Sequence, residues 1–290
     1  MLLTIAIGYS LKRSGLLTKQ DARVLSKVMI NVTLPCVIIR NLNGTVIVPE
    51  LLAAIAAGFL VNFFLVLAAL WAARGRGAEE RYVYLFSIPL FNISGYAVPV
   101  AQMFASEQEI AALLLFNLPT TVFTYVIVPA IAGTSARGNA RAGLKQMGGS
   151  ILKNIPAMVS LLMTVLCLLR VTIPRGAVEL LSNLSAANTA LAMLSIGLIF
   201  ELPGGRFAKS MKAVLLRLIC VSAAALCVWF AMPMGDLKSV VFLALFAPLV
   251  STGPALALEQ GYTGDAVALV NSSYLPVSVV CMAVLSGLLF

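Results

Sequence analysis

The sequence contains no histidine, which removes the side chain that most often binds transition metals and shuttles protons near neutral pH. Charge is scarce as well. Only 11% of the 290 residues are Asp, Glu, Lys or Arg, whereas about 25% are charged in a soluble domain. The chain also has no G-x-S-x-G elbow and no pair of acids within an apolar stretch. These absences exclude the usual catalytic sets of hydrolases and metalloenzymes, so we do not expect an enzyme.

The five cysteines give no sign of a redox or metal site. None belongs to a C-x-x-C pair, and each lies within an apolar run. We interpret them as small hydrophobic residues rather than as disulfide or zinc partners, and we expect no metal and no resident cofactor. They are Cys36, Cys167, Cys220, Cys227 and Cys281.

Apolar residues are what the chain has in excess. They make up 61% of the sequence, and a water-soluble fold of this size could not hide so much apolar surface. The net charge of +9 would suit a nucleic-acid binder, but the basic residues lie in short gaps between apolar stretches rather than on one face. We therefore predict that the chain's partner is the lipid bilayer and not a nucleic acid.

The apolar stretches predict ten membrane spans. The first is too short to cross a bilayer, which takes about 20 residues. Lys12 and Arg13 follow it rather than precede it, so we expect a truncated first helix rather than a signal peptide. The predicted spans are 2–11, 24–39, 51–73, 82–104, 110–131, 151–169, 180–200, 213–232, 239–258 and 266–290.

The basic residues predict the orientation of these spans. With the N-terminus outside, 16 of the 20 Lys and Arg residues fall within or beside the inside loops. Those around the fourth inside loop are Arg206, Lys209, Lys212 and Arg217, and those left outside are Arg40, Arg170, Arg175 and Lys238. The positive-inside rule then places both termini on the outer side of an inner or plasma membrane.

A weak internal repeat recurs after about 155 residues. Its members keep their order along the chain, which predicts a first five-helix repeat at 1–132, a basic cytoplasmic linker at 133–149 and a second repeat at 150–290. Because five is an odd number of spans, the two repeats would enter the membrane in opposite senses, as in many secondary transporters. The matches are Leu25-Ser26 with Leu181-Ser182, Asn31-Val32-Thr33 with Asn188-Thr189, Pro99 with Pro254, and Asn117 with Asn271.

The fourth and ninth spans contain clusters of Pro, Gly and small polar residues. Proline removes a backbone donor, glycine tolerates unwound backbone, and small polar side chains cap a helix that restarts. We predict two broken crossover helices that bind substrate, although simple kinks are the alternative. The candidate residues are Asn92, Ser94, Gly95, Pro99, Ser251, Thr252, Gly253 and Pro254.

The second and seventh spans add further polar candidates. Their polar side chains predict either a cavity lining or a contact that holds helices together. We include Asn31, Thr33, Asn188 and Thr189 among the candidate substrate-binding residues.

Four segments carry a family resemblance: Ile7 to Leu17, Asp21 to Pro35, Asn92 to Pro99, and Pro254 with Gly261-Tyr262 and Asp265. In them the chain resembles the auxin efflux carrier family of membrane permeases. The resemblance implies ten helices in two inverted repeats, crossover helices four and nine, and transport of organic anions such as auxin, malate or malonate. It also implies crossover positions at Asn92 to Pro99 and Ser251 to Pro254.

We therefore expect a permease that moves a small organic anion by alternating access. The alternative is a channel-like or sensor membrane protein of the same fold. No acid occupies a mid-span position, which favours transport driven by membrane potential or a substrate gradient, while Na⁺ or H⁺ coupling stays open. The sequence also leaves open whether the protein forms a homodimer.

Overall fold

The structure is a computed structural model that describes residues 2–137, 154–200, 207–250, 252–259, 262 and 264–290. Every regular element in these ranges is a helix. The α-helices are α1 (Leu2–Arg13), α2 (Lys19–Val28), α3 (Leu34–Leu42), α4 (Pro49–Ala72), α5 (Ala78–Ser87), α6 (Val98–Ala101), α7 (Glu107–Val122), α8 (Val128–Arg137), α9 (Ile155–Leu168), α10 (Arg175–Ile199), α11 (Phe207–Ala231), α12 (Lys238–Leu245), α13 (Gly253–Glu259) and α14 (Asp265–Leu289).

Three π-helical turns extend these helices. Met29–Thr33 joins α2 to α3, Ile93–Ala97 leads into α6, and Phe123–Ile127 joins α7 to α8. A short 3-10 turn, Gly235–Leu237, precedes α12. The π turns at Met29 and Phe123 leave each of their helices continuous, whereas the one at Ile93 restarts a helix after a break.

Two helix starts are fixed by polar caps. The Thr18 hydroxyl accepts hydrogen bonds from the N–H groups of the first turn of α2, and the Asp21 carboxylate accepts one from Thr18 N at 2.7 Å. Ser106 and Glu109 make the same reciprocal arrangement at the start of α7. These caps satisfy N–H groups that have no partner inside the helix, so the sequence itself determines where these helices begin.

Six helices are long and apolar enough to cross a membrane within the described residues. Their exposed faces carry large hydrophobic side chains, including Trp71 at 69% and Phe230 at 81% exposure. Apolar surface of this extent is buried only by lipid or by another protein. The six are Gln20–Leu42, Pro49–Ala72, Glu107–Ala132, Arg175–Ile199, Ser210–Ala231 and Asp265–Leu289.

The remaining predicted spans are shorter or interrupted. α1 has 12 residues and α9 has 14, fewer than the about 20 that cross a bilayer. The predicted fourth span is divided into α5 and α6, and the predicted ninth into α12 and α13. Length and composition therefore support six of the ten predicted spans as continuous membrane helices in the part of the chain described.

The helices pack into two bundles. The first bundle contains α1, α2, α3, α9 and α10, and the second contains α4, α5, α7, α11, α12 and α14. Each bundle takes helices from both predicted repeats, so the two halves of the chain are interleaved. α8 continues to Arg137, into the predicted linker at 133–149; residues 138–149 lie outside the described ranges.

Close backbone contacts hold each bundle together. A Cβ atom on Gly197 of α10 would lie 2.2 Å from the carbonyl oxygen of Ile5 in α1, and one on Gly58 of α4 would lie 2.3 Å from that of Phe116 in α7. Such spacing admits only glycine. Small residues commonly allow this approach between membrane helices, where dispersion rather than the hydrophobic effect drives packing.

Candidate functional site

The first helix interruption lies at residues 88–92, between α5 and the π turn before α6. Pro89 removes one backbone donor there. Asn92 then caps the restarting helix, because its Oδ1 accepts a hydrogen bond from Gly95 N at 3.1 Å. A Cβ atom on Gly95 would lie 2.6 Å from that oxygen. The Asn92-x-x-Gly95 spacing therefore builds the cap locally from sequence.

The second interruption follows α12. Described residues 246–250 are not helical, and α13 starts at Gly253. The Ser278 hydroxyl on α14 donates a hydrogen bond of 2.6 Å to Phe246 O. This interruption thus takes a donor from a neighbouring helix.

The two interruptions touch each other directly. Asn92 N donates a hydrogen bond to Pro248 O at 2.9 Å. We call residues 88–92 and 246–250 together the crossing. It brings the predicted broken segments into contact although they are far apart in sequence.

Arg217 of α11 lies against the crossing and is fully buried. Its guanidinium group donates hydrogen bonds to carbonyl oxygens of both interruptions. Nη1 donates to Ile88 O at 2.9 Å, to Leu90 O at 3.1 Å and to Ser87 O, and Nη2 donates to Ala247 O at 3.1 Å. One side chain therefore ties the two breaks together.

Aromatic rings complete the surroundings of Arg217. The guanidinium carbon lies 4.9 Å from the centre of the Phe91 ring and 4.7 Å from that of Tyr274. No carboxylate in the described residues forms an ion pair with it. Carbonyl dipoles and ring faces help to offset the desolvation of this charge.

A first cavity opens beside the crossing, between the two bundles. Its volume is about 60 Å³, well below the roughly 300–1,000 Å³ of pockets for drug-sized ligands. Ile30 and Pro156 of the first bundle form one wall. Most of the opposite wall is polar, formed by Asn92, Ser94, Asn117, Thr120, Thr121, Thr124 and Thr252.

Several polar groups of the first cavity are already hydrogen-bonded. Asn117 Nδ2 donates to the Ser94 hydroxyl at 2.8 Å, and the Thr121 hydroxyl donates to Asn117 O at 2.9 Å. The buried Thr252 hydroxyl has no partner among the described residues. Because the Asn92 oxygen takes the Gly95 N–H, the Asn92 NH₂ group carries the donors that remain for a ligand.

A second, less polar cavity lies between the crossing, the π turn before α6, α10 and α14. Its volume is about 90 Å³, and Asn92 is the residue that both cavities share. Asn271 and Ser272 supply its polar wall, and Ile196 and Leu275 are among its apolar residues. The crossing is thus flanked by two small cavities of different polarity.

The candidates from the second and seventh spans lie away from both cavities. The Thr33 hydroxyl donates to Asn188 Oδ1 at 2.9 Å, while Asn188 and Thr189 both donate to Gln102 Oε1 at 2.9 and 3.2 Å. These buried bonds connect α10 to the π turn before α3 and to the end of α6. The geometry favours the helix-contact interpretation over a cavity lining for these residues.

Asn31 is the clearest departure from the predicted site. It is exposed, and its Nδ2 donates to Lys27 O of its own helix at 2.8 Å. The residue does not face the crossing because it lies on the opposite side of the π turn from the buried Thr33.

The remaining candidates differ in position. Pro99 is buried near the start of α6, and Gly253 and Pro254 form the first turn of α13, so none of the three lines either cavity. Their role is in the backbone, since proline suits a first helical turn. Ser251 lies outside the described residues.

Two residues of the site escaped the sequence analysis. Asn154 lines the first cavity and caps α9 through a hydrogen bond from Ala157 N at 3.1 Å. Arg217 was assigned to the flank of an inside loop, which is wrong, because α11 already begins at Phe207 and buries it. The available signal was an arginine within an apolar run, a feature that marks a functional position by default.

These features are those of a multi-pass helical membrane protein with a polar site at two meeting helix breaks. Comparison of the sequence with protein-family models and with curated proteins gives no match.

Proposed function

We propose that this chain is a secondary transporter that moves a small organic anion, most simply a carboxylate, across an inner or plasma membrane by alternating access. The observation that carries the proposal is the crossing, where two interrupted helices meet through the hydrogen bond from Asn92 N to Pro248 O. Non-helical backbone within membrane helices is tolerated only where protein or water surrounds it, and in transporters such breaks form the substrate site.

The position of the cavities supports a carrier. Both cavities lie where the two bundles face each other, with α9 or α10 on one side and the crossing on the other. A shift of one bundle against the other would open one cavity and close its neighbour. Such a movement gives alternating access without rebuilding the site.

The chemistry of the site supports an anionic substrate. The restarting helix after Asn92 presents N–H groups that have no partner inside the helix, together with the positive end of its dipole. The Asn92 NH₂ group and the Thr252 hydroxyl add donors. The guanidinium of Arg217 lies against Phe91, which lines the first cavity, and no acidic side chain lines either cavity. A carboxylate would meet donors and positive potential here.

The proposal includes the finer architecture inferred from sequence. Counting α1, α9 and the two interrupted pairs with the six long helices gives ten spans in two inverted repeats, with both termini outside. The Thr33–Asn188 hydrogen bond supports the repeat, since its partners are 155 residues apart. The resemblance to the auxin efflux carrier family belongs to this proposal as well.

Uptake by purified protein in proteoliposomes tests the proposal. We expect saturable uptake of at least one of acetate, malonate, malate and indole-3-acetate. We also expect counterflow when the vesicles are preloaded with the same unlabelled acid. Saturation with counterflow distinguishes a carrier from a channel, which would conduct without either.

Asn92→Ala and Asn31→Ala form a matched pair for this experiment. Both remove an asparagine side chain, but only Asn92 lines the cavities. Uptake should be lost in Asn92→Ala and kept in Asn31→Ala. Background uptake of all four acids by the wild-type protein, or equal uptake by the two variants, would contradict the proposal.

A further inference from the structure

The half-helices α5 and α12 both end at Arg217. Their terminal carbonyl groups have no partners inside a helix, and each helix end carries about half a negative charge from its dipole. Two such ends attract the guanidinium group and offset part of the cost of burying its charge. Arg217 therefore occupies the place where two helix breaks would otherwise hold a cation with their carbonyl oxygens.

The hydrogen bonds of Arg217 occupy the carbonyl oxygens that could otherwise bind a cation. Four carbonyl oxygens, three from the first interruption and its edge and one from the second, accept from the same guanidinium group. The side chain is fully buried and arginine stays protonated in proteins. A sodium ion would have to displace a covalently attached charge to bind these oxygens.

The same group also acts on the substrate cavity. Phe91 lines the first cavity, and the guanidinium carbon of Arg217 lies 4.9 Å from the centre of its ring. The charge thus lies one side-chain layer behind the cavity wall. In that low-dielectric setting an unpaired positive charge favours an anion over a neutral molecule of the same shape.

We propose that Arg217 is a built-in cation that replaces a coupling ion at the crossing: it holds the two interruptions in register and makes the site selective for anions without sodium. This inference rests on the transport function proposed above, but it names a positioning residue and a coupling property that the function does not require. Arg217 positions the backbone of the crossing through hydrogen bonds and acts on the substrate through its positive charge. It does not contact the substrate.

The first experiment needs no substrate. Thermal unfolding of the purified wild-type protein is measured in equimolar NaCl, KCl and choline chloride. We expect equal midpoints, because the carbonyl oxygens at the crossing are already occupied. Arg217→Gln should lower the midpoint strongly, since a neutral amide cannot serve four carbonyl oxygens. The exposed Arg23→Gln, which removes the same charge elsewhere, should not.

The second experiment separates charge from geometry and remains informative if Arg217→Gln fails to fold. Arg217→Lys keeps the charge but offers a compact ammonium in place of a planar fork. Its maximal uptake rate should fall at least tenfold while its preference for malonate over the uncharged malonamide is kept. In Arg217→Gln that preference should shrink about tenfold or more.

Each outcome decides the inference. A wild-type midpoint or uptake rate that depends on sodium would overturn it, and so would Arg217→Lys or Arg217→Gln behaving like wild type in both stability and anion preference. Absence of uptake for every acid would end the transport proposal alone, because the unfolding measurements would still show whether Arg217 holds the crossing.

Discussion

Each of the two helix interruptions breaks a helix at the crossing, but different contacts stabilise them. The first, at 88–92, is organised by its own sequence: Asn92 caps the restarting helix, and Gly95 leaves room for that cap. The second, at 246–250, depends on its neighbours, since three of its carbonyl groups accept from Asn92, Arg217 and Ser278. Asn92 of the first interruption donates to the second, and both interruptions supply carbonyl acceptors to Arg217.

The helices behind the two interruptions show the same asymmetry. Asn62 of α4 precedes Arg217 by 155 residues, the spacing of the predicted repeat, and both are fully buried. Asn62 donates to Gly58 O of its own helix at 2.7 Å and to the Thr120 hydroxyl at 2.9 Å, whereas Arg217 reaches both interruptions. A neutral amide in one half and a cation in the other mean that the two sides of the crossing are not equivalent. Equivalent positions of the predicted repeat thus carry a charge in one half and none in the other.

The largest expected effect tests the role of the first interruption. Asn92→Ala removes a helix cap and the donors that both cavities share, so we expect uptake to fall about 100-fold or more, the equivalent of about 2.7 kcal/mol. Asn271→Ala, which changes only the second cavity, should reduce uptake less than about tenfold. Initial uptake rates at matched reconstitution levels measure both. A larger loss in Asn271→Ala would reverse the assignment of the two cavities.

The next effect tests the dependence of the second interruption on its neighbours. Ser278→Ala leaves Phe246 O without its donor, which should cost about 1–3 kcal/mol of stability. Denaturation in detergent measures the change. Ser286→Ala is the control on the same helix, because that hydroxyl bonds only to Ala283 O within its own last turns. Equal stability of the two variants would show that the second interruption does not depend on the hydrogen bond from Ser278.

Thr252→Val separates binding from folding. The buried Thr252 hydroxyl has no partner among the described residues, so replacing it with a methyl group should leave stability unchanged or slightly higher. If the hydroxyl serves the substrate, the apparent affinity should weaken about fivefold to tenfold. Uptake at varied substrate concentration and thermal unfolding of the same sample measure the two. Lower stability with unchanged affinity would assign the hydroxyl to the fold.

The smallest expected effect is at Asn31. This side chain is exposed and bonds only within its own helix, so Asn31→Ala should change stability by less than about 0.5 kcal/mol. Asn188→Ala, which breaks a buried network, should cost about 1–3 kcal/mol in the same unfolding assay. Similar losses in both would mean that the repeat-related asparagines share a role that the structure does not show.

Much of this architecture was predictable because it depends on local chemistry. Long apolar runs identify membrane helices, and the Pro and Gly clusters mark the interruptions. The grouping of spans into two bundles was not predictable, because it depends on which helix faces meet. Thr33 and Asn188 illustrate the limit: their spacing signalled a relation, but only the structure showed that they bond to each other rather than to a ligand.

By itself, the sequence indicated that the chain belongs in lipid and which two predicted spans are interrupted, since hydropathy and the effects of proline and glycine act over a few residues. The tertiary structure alone decided that the breaks meet, that Asn31 turns away from them and that Arg217 reaches their carbonyl groups. Hydropathy averages over a window and cannot register one buried charge. The partners of that charge come from three distant parts of the chain, and only packing brings them together.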